Sequence, residues 1–284
     1  MLVERGANVS AKKKDGLTPL HLASRDGHIN LARMLIERSA NMSAETKDGS
    51  TALHLASENG HVDLARILVE HSTDVSAQKK DGSTALHLAL ANDHGDLARM
   101  LVESGANVSA QTTDGSTALH LASENGHVDL AWILVERGTD MSAQKEDGST
   151  ALHLASENGH VGLARILVER GTDMSAQKKD GSTALHLALA NAHANIARML
   201  IECGTDVSAQ GEYGLTALHL ALENGHVDLA QMLVERGADV SAQNEDRFQN
   251  EDVPQHRDES QNEAGGLHWI SNPTMTTRIS HGYL

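Results

Sequence analysis

Aromatic side chains are almost absent. The 284 residues hold two Trp, two Tyr and one Phe, so small aliphatic side chains must fill any core. One cysteine, Cys203, excludes an internal disulfide and suits a reducing compartment, placing the chain in the cytoplasm with the nucleus as second choice. No apolar run approaches the length of a membrane span. The start, Met1-Leu2-Val3-Glu4-Arg5-Gly6, lacks a secretory signal pattern. Positive charge is scarce as well: 23 Lys and Arg stand against 39 Asp and Glu, a net −16. Residues 1–243 carry 20 of those bases and 32 of the acids. A surface this acidic repels phosphate backbones, so nucleic acid is not an expected partner.

What the chain has in excess is repetition. Asp-Gly-Ser-Thr-Ala-Leu-His-Leu-Ala returns every 33 residues in the central repeats, and a Thr-x-Leu-His core starts at Thr18, Thr51, Thr84, Thr117, Thr150, Thr183 and Thr216 without slip. A fixed period of this size marks stacked units rather than one globular core. Residues 114–139 serve as the type unit. Asp114-Gly115 is a turn, because Gly accepts positive φ and Asp bonds its own backbone. Thr117 is placed to cap a first helix over Ala118–Ser123, which Asn125-Gly126 stops. A second helix is predicted from Val128 to Glu136, where Leu130, Ile133 and Leu134 make one apolar face, and Gly138 ends it. The stretch from Asp140 to Asp147 reads as an extended finger joining neighbouring units. Neither helix is long enough to stand alone in water. Equivalent leucines, Leu20 to Leu218 in one row and Leu35 to Leu233 in another, must therefore pack repeat on repeat. Truncating one to Ala is expected to cost roughly 2–5 kcal/mol.

These residues resemble the ankyrin repeat. The family pattern is matched by Gly16-Leu17-Thr18-Pro19-Leu20-His21-Leu22-Ala23, by Gly27-His28 and by Gly105-Ala106-Asn107-Val108, and the likeness covers about 85% of the chain. It implies an all-α solenoid of helix–turn–helix units with short β-hairpin fingers. It also implies a module that binds other proteins through fingertips and inner helices. The reading divides the chain into a remnant of a preceding repeat (1–11), an array of seven repeats (12–243) and an acidic tail without fixed structure (244–284). The chain starts inside a second helix with no polar cap, which suggests the C-terminal part of a longer array or a misassigned start.

Several departures carry information. Ala replaces the motif Pro in six units; Ala is a good helix former, so the helix survives. The third and sixth repeats lose the loop Gly to Asp93 and Ala192, and their loops are expected to differ in shape. The string from Asp81 to Asn92 recurs letter for letter at Asp180 to Asn191, so a three-repeat block has been duplicated, with or without functional meaning. Trp132 stands where five other repeats have Arg, and Tyr213 replaces the turn Asp of the seventh. An exposed Trp fits a binding hot spot or drift after duplication.

Eighteen histidines invite a metal hypothesis. Two per repeat, seven apart across a loop, do not have ligand spacing. Thr and His three residues apart, as in Thr51–His54, Thr84–His87, Thr117–His120, Thr150–His153 and Thr183–His186, fit a structural tie instead, the role the resemblance gives this His. No Ser–His–acid or Cys–His constellation stands out, so neither catalysis nor a cofactor, metal or small-molecule ligand is expected. Candidate partner contacts are Lys79, Lys80, Ser83, Thr113, Ser116, Glu146, Ser149, Lys179, Ser182 and Tyr213 on fingers. Glu124, Asn125 and Glu157 at first-helix ends and Trp132 on a second helix complete the set. Basic fingers beside acidic helix ends suit a peptide of mixed charge, or simply a solvated surface. Three functional readings follow: a protein-interaction scaffold, the recognition arm of a larger signalling, receptor-like or ubiquitin-ligase protein, or a tether with no dedicated partner. The tail's Leu267-His268-Trp269-Ile270 is a candidate docking segment or an unstructured terminus.

Overall fold

The computed structural model describes residues 8–243. The expectations for residues 1–7 and for the tail from residue 244 lie outside the described residues. The seven repeats contribute, in order, α1 (Pro19–Arg25) with α2 (Ile29–Glu37), α3 (Ala52–Glu58) with α4 (Val62–Glu70), α5 (Ala85–Ala91) with α6 (Gly95–Glu103), and α7 (Ala118–Asn125) with α8 (Val128–Glu136). The series continues with α9 (Ala151–Glu157) and α10 (Val161–Glu169), α11 (Ala184–Ala190) and α12 (Ala194–Glu202), α13 (Ala217–Glu223) and α14 (Val227–Glu235). First helices pack on neighbouring first helices and second on second, with each pair also packed against itself. The array is thus two layers of antiparallel helices. Observed bounds follow the expected ones closely; α7 runs two residues past Ser123, to Asn125.

Local chemistry explains each start and stop. Thr117 is extended (φ −111°, ψ 168°) and caps α7. Its backbone N–H donates to His120 Nδ1 at 3.2 Å, and its hydroxyl lies 2.9 Å from the same nitrogen. Nδ1 therefore accepts, which leaves the ring hydrogen on Nε2. The same Thr–His pair closes the start of every first helix, with hydroxyl-to-Nδ1 distances of 2.8–2.9 Å. At the other end, Gly126 is left-handed (φ 76°). Its bare Cα is also needed for packing, since a Cβ there would come within 2.6 Å of the His160 ring of the next repeat.

The core lies between the two layers and between repeats. Leu20, Leu53, Leu86, Leu119, Leu152 and Leu185 are at most 1% exposed, and Leu35, Leu68, Leu101, Leu134, Leu167, Leu200 and Leu233 are fully buried. Ala56 and Ala65, also buried, let helices approach closely. Burial of one such leucine stabilises by about 1.5–3 kcal/mol relative to leaving it exposed.

The structure corrects two expectations here. The fingers are not β-hairpins: among the described residues there is no strand, only an isolated antiparallel bridge between Gln210 and Thr216. Each finger is a tight turn closed by one flanking hydrogen bond, as in Lys145 N–H to Ser149 O at 2.9 Å, and a single rung does not make a ladder. Nor do the third and sixth loops change shape. Asp93 (φ 61°) and Ala192 (φ 59°) adopt the left-handed backbone that Gly holds elsewhere. The following His N–H still reaches Ala89 O and Ala188 O at 2.8 Å. The backbone is kept, and the cost of about 1–2 kcal/mol for a non-glycine residue in this region is borne locally.

What changes is the link to the next repeat. Where the loop Gly is present, the His at the start of the next second helix donates Nε2–H to a carbonyl one repeat back. His61 reaches Arg25 O at 3.0 Å, His94 Glu58 O at 3.2 Å, His160 Glu124 O at 3.0 Å and His193 Glu157 O at 3.0 Å. After Asp93 and Ala192, the Cβ takes the space of the ring edge. His226 Nε2 is then left without a hydrogen-bond partner among the described residues. His127 Nε2 lies 3.2 Å from Asp93 Oδ1, as an ion pair whenever the ring is protonated.

Candidate functional site

The fingers place one row of side chains in solvent. Lys47, Lys80, Thr113, Glu146 and Lys179 each donate a backbone N–H to an Asp carbonyl of the preceding finger, at 2.7–3.0 Å. With the backbone tied down, their exposed side chains form a row spaced one per repeat. The row reads Lys, Lys, Thr, Glu, Lys, so its charge changes sign along the array. Behind it, Asp48 accepts from the Ser50 and Thr46 hydroxyls, which hold its carboxyl well below the usual carboxylate range.

Lys79 and Lys178 are not free. Lys79 lies between Asp48 (3.6 Å) and Asp81 (3.5 Å), its side chain only 18% exposed. Lys178 bridges Asp147 and Asp180 in the same way. Lys79, expected to meet a partner, instead ties two fingers together, and the rim is less basic than the sequence implied. Ser116 (5% exposed) and Ser149 (2%), read from the sequence as contact residues, are buried. Their hydroxyls donate to Asp114 at 2.8 Å and Asp147 at 2.7 Å. Ser83 and Ser182 are half-buried, their carbonyls accepting from His54 and His153 at 3.2 Å.

A second row follows the C-terminal ends of the first helices. Glu58, Glu124, Glu157 and Glu223 are exposed, interrupted by Ala91 and Ala190 in repeats three and six. Asn125 is exposed, yet its side-chain amide donates back to Leu90 O at 2.9 Å, so one face of it serves the stack. Tyr213 is 40% exposed and left-handed (φ 58°), inside a single 3₁₀ turn over Glu212–Gly214. The seventh finger therefore has its own backbone path, which the loss of the turn Asp alone did not reveal. Trp132 is 47% exposed. It lies on the side of α8 away from the buried Leu130, Ala131 and Leu134, so it does not join the finger row.

The buried histidines sit apart from both rows. Burial holds the imidazoles of His21, His54, His87, His120, His153 and His186 below their ordinary pKa of 6.5. A neutral ring is what the Nδ1 acceptor role requires. Among the described residues, no group of three or more His, Cys, Asp or Glu side chains is placed to hold a metal ion. No helix there is long and apolar enough to cross a membrane.

Two layers of paired helices in 33-residue register, capped by Thr–His pairs and linked finger to finger, match a known family model. The model for ankyrin repeats (3 copies) matches residues 1–79, 40–112, 72–145, 105–178, 137–211 and 170–244. The chain belongs to the ankyrin repeat family. Ankyrin repeats are in general protein–protein interaction modules, typically without catalysis of their own. Comparison with curated proteins gives no match.

Proposed function

We propose that this ankyrin array is a protein-interaction scaffold that holds its partner along the finger row and the first-helix ends. The observation that carries the reading is the finger row itself. Lys80, Thr113, Glu146 and Lys179 are fixed through their backbones and present side chains that no packing within the array requires. Rigid spacing with free side chains is the arrangement that gains affinity through preorganisation. The alternation of sign along that row, with Glu124 and Glu157 on the neighbouring helix ends, favours an extended partner carrying both charges. No step of this reading calls on catalysis, a cofactor or nucleic acid, and the lone Cys203 suits a reducing compartment, the cytoplasm first and the nucleus second.

The test compares the chain with a variant carrying Lys80→Ala, Thr113→Ala, Glu146→Ala and Lys179→Ala, using proximity cross-linking in cells and mass spectrometry. The exposed side chains make folding insensitive to these changes. At least one protein should be captured by the parent and lost from the variant. Identical capture profiles at matched expression would remove the finger row from the account.

A further inference from the structure

The second helices carry a charge ladder, and it is broken at one place. Arg99 on α6 pairs with Asp129 on α8 at 3.7 Å, and Arg198 on α12 pairs with Asp228 on α14. The same residue types recur at Arg33 with Asp63 and at Arg66 with Asp96. In the two intervening steps the pattern changes. Trp132 replaces the Arg and Gly162, one repeat on, replaces its Asp. At the next step Arg165 remains, but its acid has become Asn195. Arg165 is exposed and has no ion-pair partner among the described residues.

These changes are contiguous in space. Val128 (37% exposed) and Trp132 (47%) are one helical turn apart on α8. A Cβ on Gly162 would lie 3.5 Å from Val128 Cγ2, so the glycine sits beside that valine, one turn from Trp132 on α8. Arg165 follows Gly162 by three positions and shares its face of α10. From Arg165 a groove of about 490 Å³ continues between α10 and α12, lined by Val161, Val168 and Met199 together with Glu169 and Glu202. In repeats one to six of the array, no other exposed large apolar side chains occur.

We infer that the outer face of α8 and α10 is a second docking surface, built for a protein segment that pairs an apolar side chain with a carboxylate. The apolar side chain lies on Val128 and Trp132 over Gly162, and the carboxylate meets Arg165. Charge decides the occupant. Arg99 and Arg198 are paired with the next repeat's acid, whereas Asn195 stands at that position for Arg165 and leaves its cation to a partner. A second copy of this chain is disfavoured, because two arrays that each carry 32 acids against 20 bases repel. The surface is distinct from the finger row and does not depend on it.

The ladder also supplies the test. A triple variant, Trp132→Arg, Gly162→Asp and Asn195→Asp, rewrites the face with residues that neighbouring repeats already carry at those positions, so the stack should melt no lower than the parent. Full-length parent and variant are each panned against a displayed random peptide library, and enriched peptides are synthesised and titrated. The parent should enrich peptides with an aromatic or aliphatic anchor beside acidic residues, and the triple variant should bind them about tenfold or more weakly. Peptides held equally by both proteins and released by the four finger substitutions would support the finger row while overturning this surface. No acidic–apolar enrichment on the parent, or a concentration-dependent dimer in sedimentation that the triple variant abolishes, would also overturn it.

Discussion

Repeats one and two are joined by two histidine rings. His21 donates Nε2–H to Ser50 O at 3.0 Å, and His61 donates to Arg25 O at 3.0 Å. Repeats three and four face each other through the same positions, yet neither ring makes a well-formed bond to a carbonyl: His87 Nε2 approaches Ser116 outside hydrogen-bond geometry, and His127 Nε2 faces Asp93 Oδ1 at 3.2 Å instead. The interfaces two/three, four/five and five/six follow the first pattern. Six/seven follows the second, with His186 and His226. At three/four and six/seven other links take over. Asn125 donates to Leu90 O (2.9 Å) and Arg137 to Val102 O (2.7 Å), while Asn224 donates to Leu189 O (3.1 Å) and Arg236 to Ile201 O (2.8 Å).

The packing differs to match. Repeats three and six bury Leu90 and Leu189, where repeats one, two, four and five bury Ser24, Ser57, Ser123 and Ser156, whose hydroxyls reach no partner among the described residues. Losing two hydrogen bonds costs about 1 kcal/mol each. Burying a leucine returns about 1.5–3 kcal/mol. The two kinds of interface are thus of similar strength by different chemistry, and each three-repeat block carries two of the first kind followed by one of the second.

Leu90→Ser gives the largest expected break, because it imposes the polar core residue on an interface without histidine bonds. Chemical denaturation should show a loss of roughly 2–5 kcal/mol. Gly126→Ala attacks the other class: a left-handed alanine costs about 1–2 kcal/mol, and displacing the His160 ring removes a bond worth about 1 kcal/mol more. Comparing His54→Ala with His87→Ala isolates the carbonyl bond, since both lose the Thr link and only His54 loses an Nε2 donor. The first should be the more destabilising by about 1 kcal/mol. Ala192→Gly should raise stability by about 0.5–1.5 kcal/mol, and by more than Asp93→Gly, since Asp tolerates the left-handed region and stands beside His127.

Acid should weaken both classes, with the smallest effect per residue. Six buried imidazoles have their pKa held below 6.5 in the fold. The unfolded chain therefore binds more protons, and stability falls as pH drops through about 6.5. The melting temperature should decrease from pH 7 to pH 5; a flat profile would mean that these rings charge freely inside the stack.

The period, the Thr caps and the leucine rows were legible because each repeats a local rule: cap, apolar spacing and glycine stop lie within one unit. The interface chemistry was not, because it joins residues 29 to 36 positions apart whose identities change one at a time. Asp93 and Ala192 were visible as missing glycines, but the sequence tied them to loop shape, whereas their consequence falls on the next repeat's histidine. Ser116 and Lys79 looked like surface residues by composition. The structure ties Ser116 to Asp114 of its own finger and Lys79 to Asp48 and Asp81 on two adjacent fingers. Trp132 was conspicuous alone; its partner, Gly162, acquires meaning only from the Arg99–Asp129 pair one repeat earlier.

Order passed from each repeat to its neighbours is what these observations share, and residue-resolved amide hydrogen exchange on Leu90→Ser beside the parent chain tests it most directly. Protection should fall most in α5 and α7 and progressively less toward α1 and α13. Equal loss in every helix, or a loss centred away from repeats three and four, would contradict a stack held together by nearest-neighbour interfaces.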